Sequence, residues 1–165
     1  MIFPTLKGLV DTPLTAGSKG EQMKKDWKFH HIGLVVKDIG QVEQLVNLTG
    51  IGYIEKFSIV ENGKKKDVKW FLHIGALTID LHGEVPDDRV LINDSIKRDG
   101  QGLHHIAFHV DDIDKEIKDL NDAGAKLLYR QEITDGVTIK SGVLAFLGIQ
   151  EMGVTLELTQ VNEAR

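Results

Sequence analysis

The chain contains no cysteine. Disulfides and thiolate metal sites are therefore excluded, and any metal must be held by nitrogen and oxygen donors. Positive charge is not in surplus either. With a formal net charge of −5, the chain has no general basic field for nucleic acid, so no nucleic-acid partner is expected. No apolar run is long enough to cross a bilayer, so no membrane partner is expected. The start, MIFPTLKGLVDTPLTAGSKG, has no basic segment followed by a sustained apolar stretch, which argues against a secretory signal. The expected location is the cytoplasm. Proline is scarce, yet Pro4 and Pro13, with Gly8, Gly17 and Gly20, interrupt every short apolar pattern near the start. Residues 1–26 therefore read as an extension, loosely packed or laid across a partner surface. What remains is ordinary for a globular protein, with 41% hydrophobic and 27% charged residues. A chain of 165 residues is one domain or two small fused ones, and either can bury a core.

The most informative feature is a repeat. FHHIGLVVKDI begins at Phe29 and LHHIAFHVDDI at Leu103. His31 and His105 are 74 residues apart, and so are Asp38 and Asp112. A constant offset across a whole stretch marks two copies of one structural unit. In the first copy, Trp27 to Val36 reads as a strand. Asp38 caps a helix, with Gln41 as its capping-box partner, and Ile39, Val42, Leu45 and Val46 share a face of it. Gly50 and Gly52 end the helix. Tyr53 to Val60 is a second strand, Asn62-Gly63 a hairpin turn, and Val68 to Ile74 and Leu77 to His82 are the third and fourth strands.

The second copy repeats the order. Leu103 to Val110 is a strand, Asp112 caps a helix bearing Ile113, Ile117 and Leu120, and Gly124 ends it. Strands at Ala125 to Ile133, Val143 to Ile149 and Val154 to Thr159 follow, with a turn at Asp135-Gly136. The fold class is therefore α+β: two tandem β-α-β-β-β modules, over residues 27–82 and 102–161. A polar linker, 83–101, joins them and has room for a short helix around Val90 to Lys97. Together they make a single domain over 27–161.

The last strands also correspond. LTIDLHG at Leu77 matches VTLELTQ at Val154, which sets Asp80 against Glu157. These acids are 77 apart, so about three residues are inserted in the second module. Loops vary in this way. His31 with Asp80, and His105 with Glu157, thus stand at two related pairs of positions. Imidazole and carboxylate suit a divalent metal of intermediate hardness. Each acid lies among apolar neighbours in its strand, and a buried carboxylate needs a cation or hydrogen-bond donors. One such pair would ordinarily be structural. Two pairs in register with a repeat favour a metal. Strand alternation puts His31 and Gly33 on one face and Ile32, Leu34 and Val36 on the other. Gly33, like Ala107 beside His105, is expected to leave room for a metal and its ligand. His30 and His104 are set aside because alternation points them away from their neighbours. His82 rivals Asp80, being on the same face two residues later.

These motifs resemble the vicinal oxygen chelate superfamily, over residues 27–160. Within it, GLHHIAFHVDDID at Gly102 and VTLELTQ are very similar to the methylmalonyl-CoA epimerases, and HHIGLVVKDI and IGALTIDLHG resemble the first-half motifs of that group. The resemblance implies a cupped sheet around one divalent ion (Co, Ni, Zn, Mn or Fe), held by His31, Asp80, His105 and Glu157. It also implies a homodimer. Three departures stand out. Asp80 occupies a position where the family usually has Glu or Gln. GIQEMG, from Gly148 to Gly153, replaces a loop that usually reads like HPK followed by small residues. Lys69 falls where some epimerases carry an acidic base, and Asp67 and His73 share its face by alternation.

What the resemblance implies about activity is an enolate mechanism. A metal stabilises charge developing on a substrate oxygen, and Glu157, Asp67 or His73 moves the proton. The first expectation is an epimerase or isomerase acting on an acyl-CoA-like substrate. A glyoxalase I-like lyase acting on a thiol adduct is the second, and a member that binds a small molecule without turnover is the third. Lys64-Lys65-Lys66 could meet a CoA phosphate, although a lysine run at a hairpin tip is ordinarily a solvated turn. Trp70 is assigned to the core and Phe71 to the wall of the site.

Overall fold

A computed structural model describes residues 25–61, 63–83, 100–149 and 153–165. The helix expected around Val90 to Lys97, most of the N-terminal extension and the middle of the Gly148–Gly153 loop lie outside the described residues. So do the side chains of Lys64, Lys65, Lys66 and Asp67.

Among the described residues, ten elements follow in the expected order. They are β1 (Lys28–Val35), α1 (Ile39–Thr49), β2 (Tyr53–Glu61), β3 (Lys64–Ile74), β4 (Leu77–His82), β5 (Gly102–His109), α2 (Ile113–Asp122), β6 (Lys126–Thr134), β7 (Ile139–Ile149) and β8 (Val154–Ala164). Asp38 starts α1 by accepting the backbone N–H groups of Gly40 and Gln41 at 2.8 and 3.2 Å. Such a cap satisfies donors the first helical turn leaves open. Gly50, at φ 65°, closes the helix by donating to the Val46 carbonyl. The left-handed conformation there is one that glycine adopts without steric cost. Asp112 caps α2 through the Lys115 N–H at 3.0 Å.

All eight strands form one mixed sheet in the order β2-β3-β4-β1-β5-β8-β7-β6. That order reads the same from either edge once the modules are exchanged. Within each module the first and last strands pair in parallel, β1 with β4 and β5 with β8. The modules meet where β1 runs antiparallel to β5, from Lys28 opposite His109 to Val35 opposite Gly102.

Each module buries its own core between sheet and helix. Val36, Val46, Leu72, Ile79 and Leu81 make one, with Trp70 packed against it. Val110, Ile113, Ile117, Ala145, Leu147 and Leu158 make the other. Leu45, assigned to the buried face of α1, is 55% exposed. The stripe that packs runs through Ile39, Val42 and Val46, and Leu45 lies beyond its rim. Three strands are longer than the sequence pattern suggests. β3 begins at Lys64, β7 at Ile139, and β8 continues to Ala164. These added ends extend past the cores and are held by hairpin pairing, such as Glu61 opposite Lys64 and Ile139 opposite Ala164. Apolar alternation is not needed there. Among the described residues, no helix is long and apolar enough to cross a membrane.

Candidate metal centre

The face of the sheet opposite the helices encloses a cavity of about 1030 Å³. Residues from all eight strands line it, including Glu55 and Phe57 of β2 and Tyr129 and Gln131 of β6. A sheet whose two edge strands reach one cavity is cupped, as the resemblance implied.

Four central strands, β4, β1, β5 and β8, bring His31, Asp80, His105 and Glu157 together. Sheet register arranges them by a simple rule. Gly33 has Asp80 on one side and His105 on the other, while Ala107 has Glu157 on one side and His31 on the other. Each small residue therefore separates an acid of its own module from the histidine of the other. The room beside Gly33, expected to receive a metal and its ligand, is occupied by the His105 ring: a Cβ built at Gly33 would fall inside that imidazole. Gly33→Ala is accordingly expected to displace His105. The measurable outcome is a large loss of metal affinity, with overpacking costing about 1–3 kcal/mol of stability in denaturant unfolding. Unchanged metal uptake would show that the ring does not depend on this gap.

The donor atoms converge. His31 Nε2 lies 3.0 Å from His105 Nε2. His105 Nε2 lies 3.1 Å from Glu157 Oε2. His31 Nε2 is 3.7 Å from Asp80 Oδ2 and 3.8 Å from Glu157 Oε2. All four residues are buried. Phe71 and Phe146 flank the histidines as a matched pair, with ring centroids 5.7 Å from His31 and 5.5 Å from His105.

Electrostatics favour a cation. Burial holds His31 far below its ordinary value near 6.5, and the His105 ring deepens the effect. Burial, followed by the nearby His82, brings His105 down to about 2. Both imidazoles are therefore neutral at pH 7, the form that ligates metal. Burial pushes the Glu157 carboxyl up to about 7, with Lys69 opposing the shift and Asp80 adding to it. Asp80 Oδ1 is buried with no hydrogen-bond partner, an arrangement that ordinarily costs free energy. Lys69 Nζ sits 3.1 Å from Asp80 Oδ2 and 4.8 Å from the Phe71 ring centroid. The two imidazole Nε2 atoms, 3.0 Å apart, are close enough for both to ligate one ion. His31, Asp80 and His105 have one donor atom each within 4.8 Å of one another and could hold a metal. Neutral imidazoles with buried carboxylates fit such an ion.

The remaining candidates are distributed unevenly. His82 is buried and lines the cavity, with Nε2 3.5 Å from Asp80 Oδ2. Lys69, Phe71 and His73 all line the cavity from β3. His73 has both ring nitrogens engaged, with Glu55 at 3.1 Å and Thr78 at 3.3 Å. Asp67 pairs through its backbone with Ser58, but the ladder shifts register between Phe57 and Ser58.

His30 and His104 depart from expectation. Both line the cavity beside the histidines that follow them. The cause is a pair of β-bulges. On β1, Phe29 faces Phe108 and His31 faces Ala107, which leaves His30 as an extra residue. On β5, Gly33 faces His105 and Leu34 faces Leu103, which leaves His104 extra. A bulge breaks strict alternation and re-aims a side chain. His109 was missed as well and lines the same cavity. All seven histidines of the chain thus gather at one site. The sequence signal that could have found the first two was repetition of the whole His-His doublet.

Comparison with known proteins agrees with this architecture. A model of the family described as the glyoxalase/bleomycin resistance protein/dioxygenase superfamily matches residues 30–141. Among solved structures, a hypothetical protein from Bacillus halodurans C-125 is 25% identical, with a TM-score of 0.63 over 86% of this chain and 99% of that one. A variant of the Streptomyces coelicolor methylmalonyl-CoA epimerase in complex with 2-nitronate-propionyl-CoA is 24% identical, with a TM-score of 0.59 over 84% of this chain and 96% of that one. Methylmalonyl-CoA epimerase from Mycobacterium tuberculosis is 18% identical, with a TM-score of 0.58 over 81% and 87% of the two chains. Likeness to the epimerases at these identities is a likeness of fold. No curated protein matches the chain.

Proposed function

Because the chain belongs to the glyoxalase/bleomycin resistance protein/dioxygenase superfamily, we propose that it is a metal-dependent epimerase or isomerase that forms an enolate from an acyl-CoA-like thioester. The observation that carries this reading is the convergence of His31, Asp80, His105 and Glu157 at a large cavity that neutral imidazoles and buried carboxylates make receptive to a cation. When bound, a divalent ion supplies Lewis-acid stabilisation of negative charge on a substrate oxygen. The protein residues do the rest. Glu157, with its carboxyl near 7, is matched to proton abstraction at neutral pH. Phe71, Phe146 and Leu144 present apolar surface to the carbon skeleton and keep water from it. Lys69 offers an ammonium group to a substrate anion. Location in the cytoplasm and assembly as a homodimer belong to the same reading.

A specific observation favours a second reading. Proton return on the opposite face calls for a second base, and both ring nitrogens of His73 are engaged. A one-base, glyoxalase I-like isomerisation of a thiol adduct requires Glu157 alone. Solvent exchange discriminates. In deuterated water, the metal-loaded protein is expected to place deuterium at the α-carbon of a branched acyl-CoA thioester, read by mass spectrometry. Exchange only with a methylglyoxal–thiol adduct would assign the lyase. No exchange with either, together with tight binding of one of them, would assign a non-catalytic binder.

A further inference from the structure

The two β-bulges place the same contact twice. His30 Nδ1 lies 2.7 Å from His31 Nδ1, and His104 Nδ1 lies 2.8 Å from His105 Nδ1. In each pair the second ring carries its other nitrogen, Nε2, to the centre, where the two Nε2 atoms are 3.0 Å apart. A neutral imidazole has one N–H and one bare nitrogen. For Nε2 to ligate it must be bare, so the proton must be on Nδ1 and needs an acceptor. Ligating histidines ordinarily find that acceptor in a carboxylate, a backbone carbonyl or water. Here the contact recorded at each Nδ1 is to the Nδ1 of the preceding histidine. The preceding histidine is the group within reach.

We propose that His30 and His104 are positioning residues for the metal centre: each accepts the Nδ1–H of the histidine that follows it and so holds that ring's Nε2 bare and aimed at the ion. This rests on the metal-centre reading above. Packing fixes the acceptors themselves. His30 stacks on His109 with ring centroids 4.2 Å apart and meets Phe71 edge-on at 6.3 Å. His104 meets Phe146 edge-on at 6.3 Å. Recurrence at equivalent positions of two modules, each requiring its own bulge, is not what a chance contact between adjacent residues produces.

The test measures zinc affinity by competition with a chromophoric chelator. It compares the full chain with His30→Phe, His104→Phe, the double Phe variant and the double Asn variant. Phenylalanine fills the space and cannot accept a hydrogen bond, whereas asparagine offers its carboxamide oxygen near the position of Nδ1. The double Phe variant is expected to bind zinc roughly tenfold to hundredfold more weakly, with asparagine restoring most of the loss. In the zinc-loaded wild type, nitrogen-15 spectra are expected to show protonated Nδ1 on His31 and His105, and those protons should exchange faster in the Phe variants. Wild-type affinity in the double Phe variant would overturn the proposal, and so would asparagine behaving like phenylalanine. Should the Phe variants fail to fold, the corresponding Ala variants are judged by the same criteria. A wild-type chain that takes up no zinc or other divalent ion overturns this proposal together with the metal-centre reading. Uptake that is insensitive to His30 and His104 overturns this proposal alone.

Discussion

His105→Ala is expected to remove the bound metal, lowering affinity by about two orders of magnitude or more, about 2.8 kcal/mol. The His105 ring is the hinge of the centre. Its Nε2 is within 3.1 Å of both His31 Nε2 and Glu157 Oε2, so its loss removes one donor and leaves the others without a common focus. Metal analysis of purified protein and chelator competition both report the outcome. Unfolding of the metal-free variant must be followed beside it, because truncation also leaves the ring's space over Gly33 empty. Metal content equal to wild type would sink the site assignment. A companion comparison fixes the fourth position: Asp80→Ala should weaken binding far more than His82→Ala, and the reverse ranking would transfer the role to His82.

Glu157→Gln is expected to reduce substrate α-proton exchange by about a thousandfold, within the range general-base catalysis supplies. Glutamine keeps the shape and one oxygen donor but cannot take the proton. The pH dependence carries its own signature. Glu157 is held protonated up to about pH 7 by burial, and only the ionised form is a base. Exchange should therefore be lost as pH falls through that range. A cation beside the carboxylate favours its ionised form, so higher metal occupancy should move the limb toward lower pH. Proton and metal compete for the same oxygens, so metal affinity must likewise fall on acidification. The histidines do not set this limb, since burial holds both well below their ordinary value. A glutamine variant with full metal occupancy and undiminished exchange would assign the base elsewhere.

The parts of this site that could be read from sequence and the parts that could not differ by physical cause. The module order followed from apolar periodicity and from caps at Asp38 and Asp112, all of them local signals. His31, Asp80, His105 and Glu157 could be singled out because a repeat marks equivalent positions without any knowledge of distance. His30 and His104 were set aside because strand parity assumes an unbroken ladder, and a bulge is a property of two strands in contact. The use of Gly33 has the same origin: a small residue announces space, but the ring that fills it comes from a strand in the other module. The ends of β3, β7 and β8 escaped notice because polar hairpin ends have no buried face to impose alternation.

The seam between β1 and β5 has a further consequence, for folding. Pairs such as Tyr53 with His73 close short loops, whereas His31 and His105 are 74 residues apart. Loop closure costs more entropy as the loop lengthens, and non-local pairing slows folding. Each hairpin is therefore expected to form ahead of the junction, and the junction to complete the donor set. A chain folded in only one half brings together no more than one histidine and one acid of the four, and an unfolded chain holds none of them in place. A divalent ion would then bind the finished fold almost exclusively and stabilise it by RT ln(1 + [L]/Kd), about 4.1 kcal/mol at a thousand times Kd. In a chain without cysteine, the ion would serve as the cross-link that ties one half to the other.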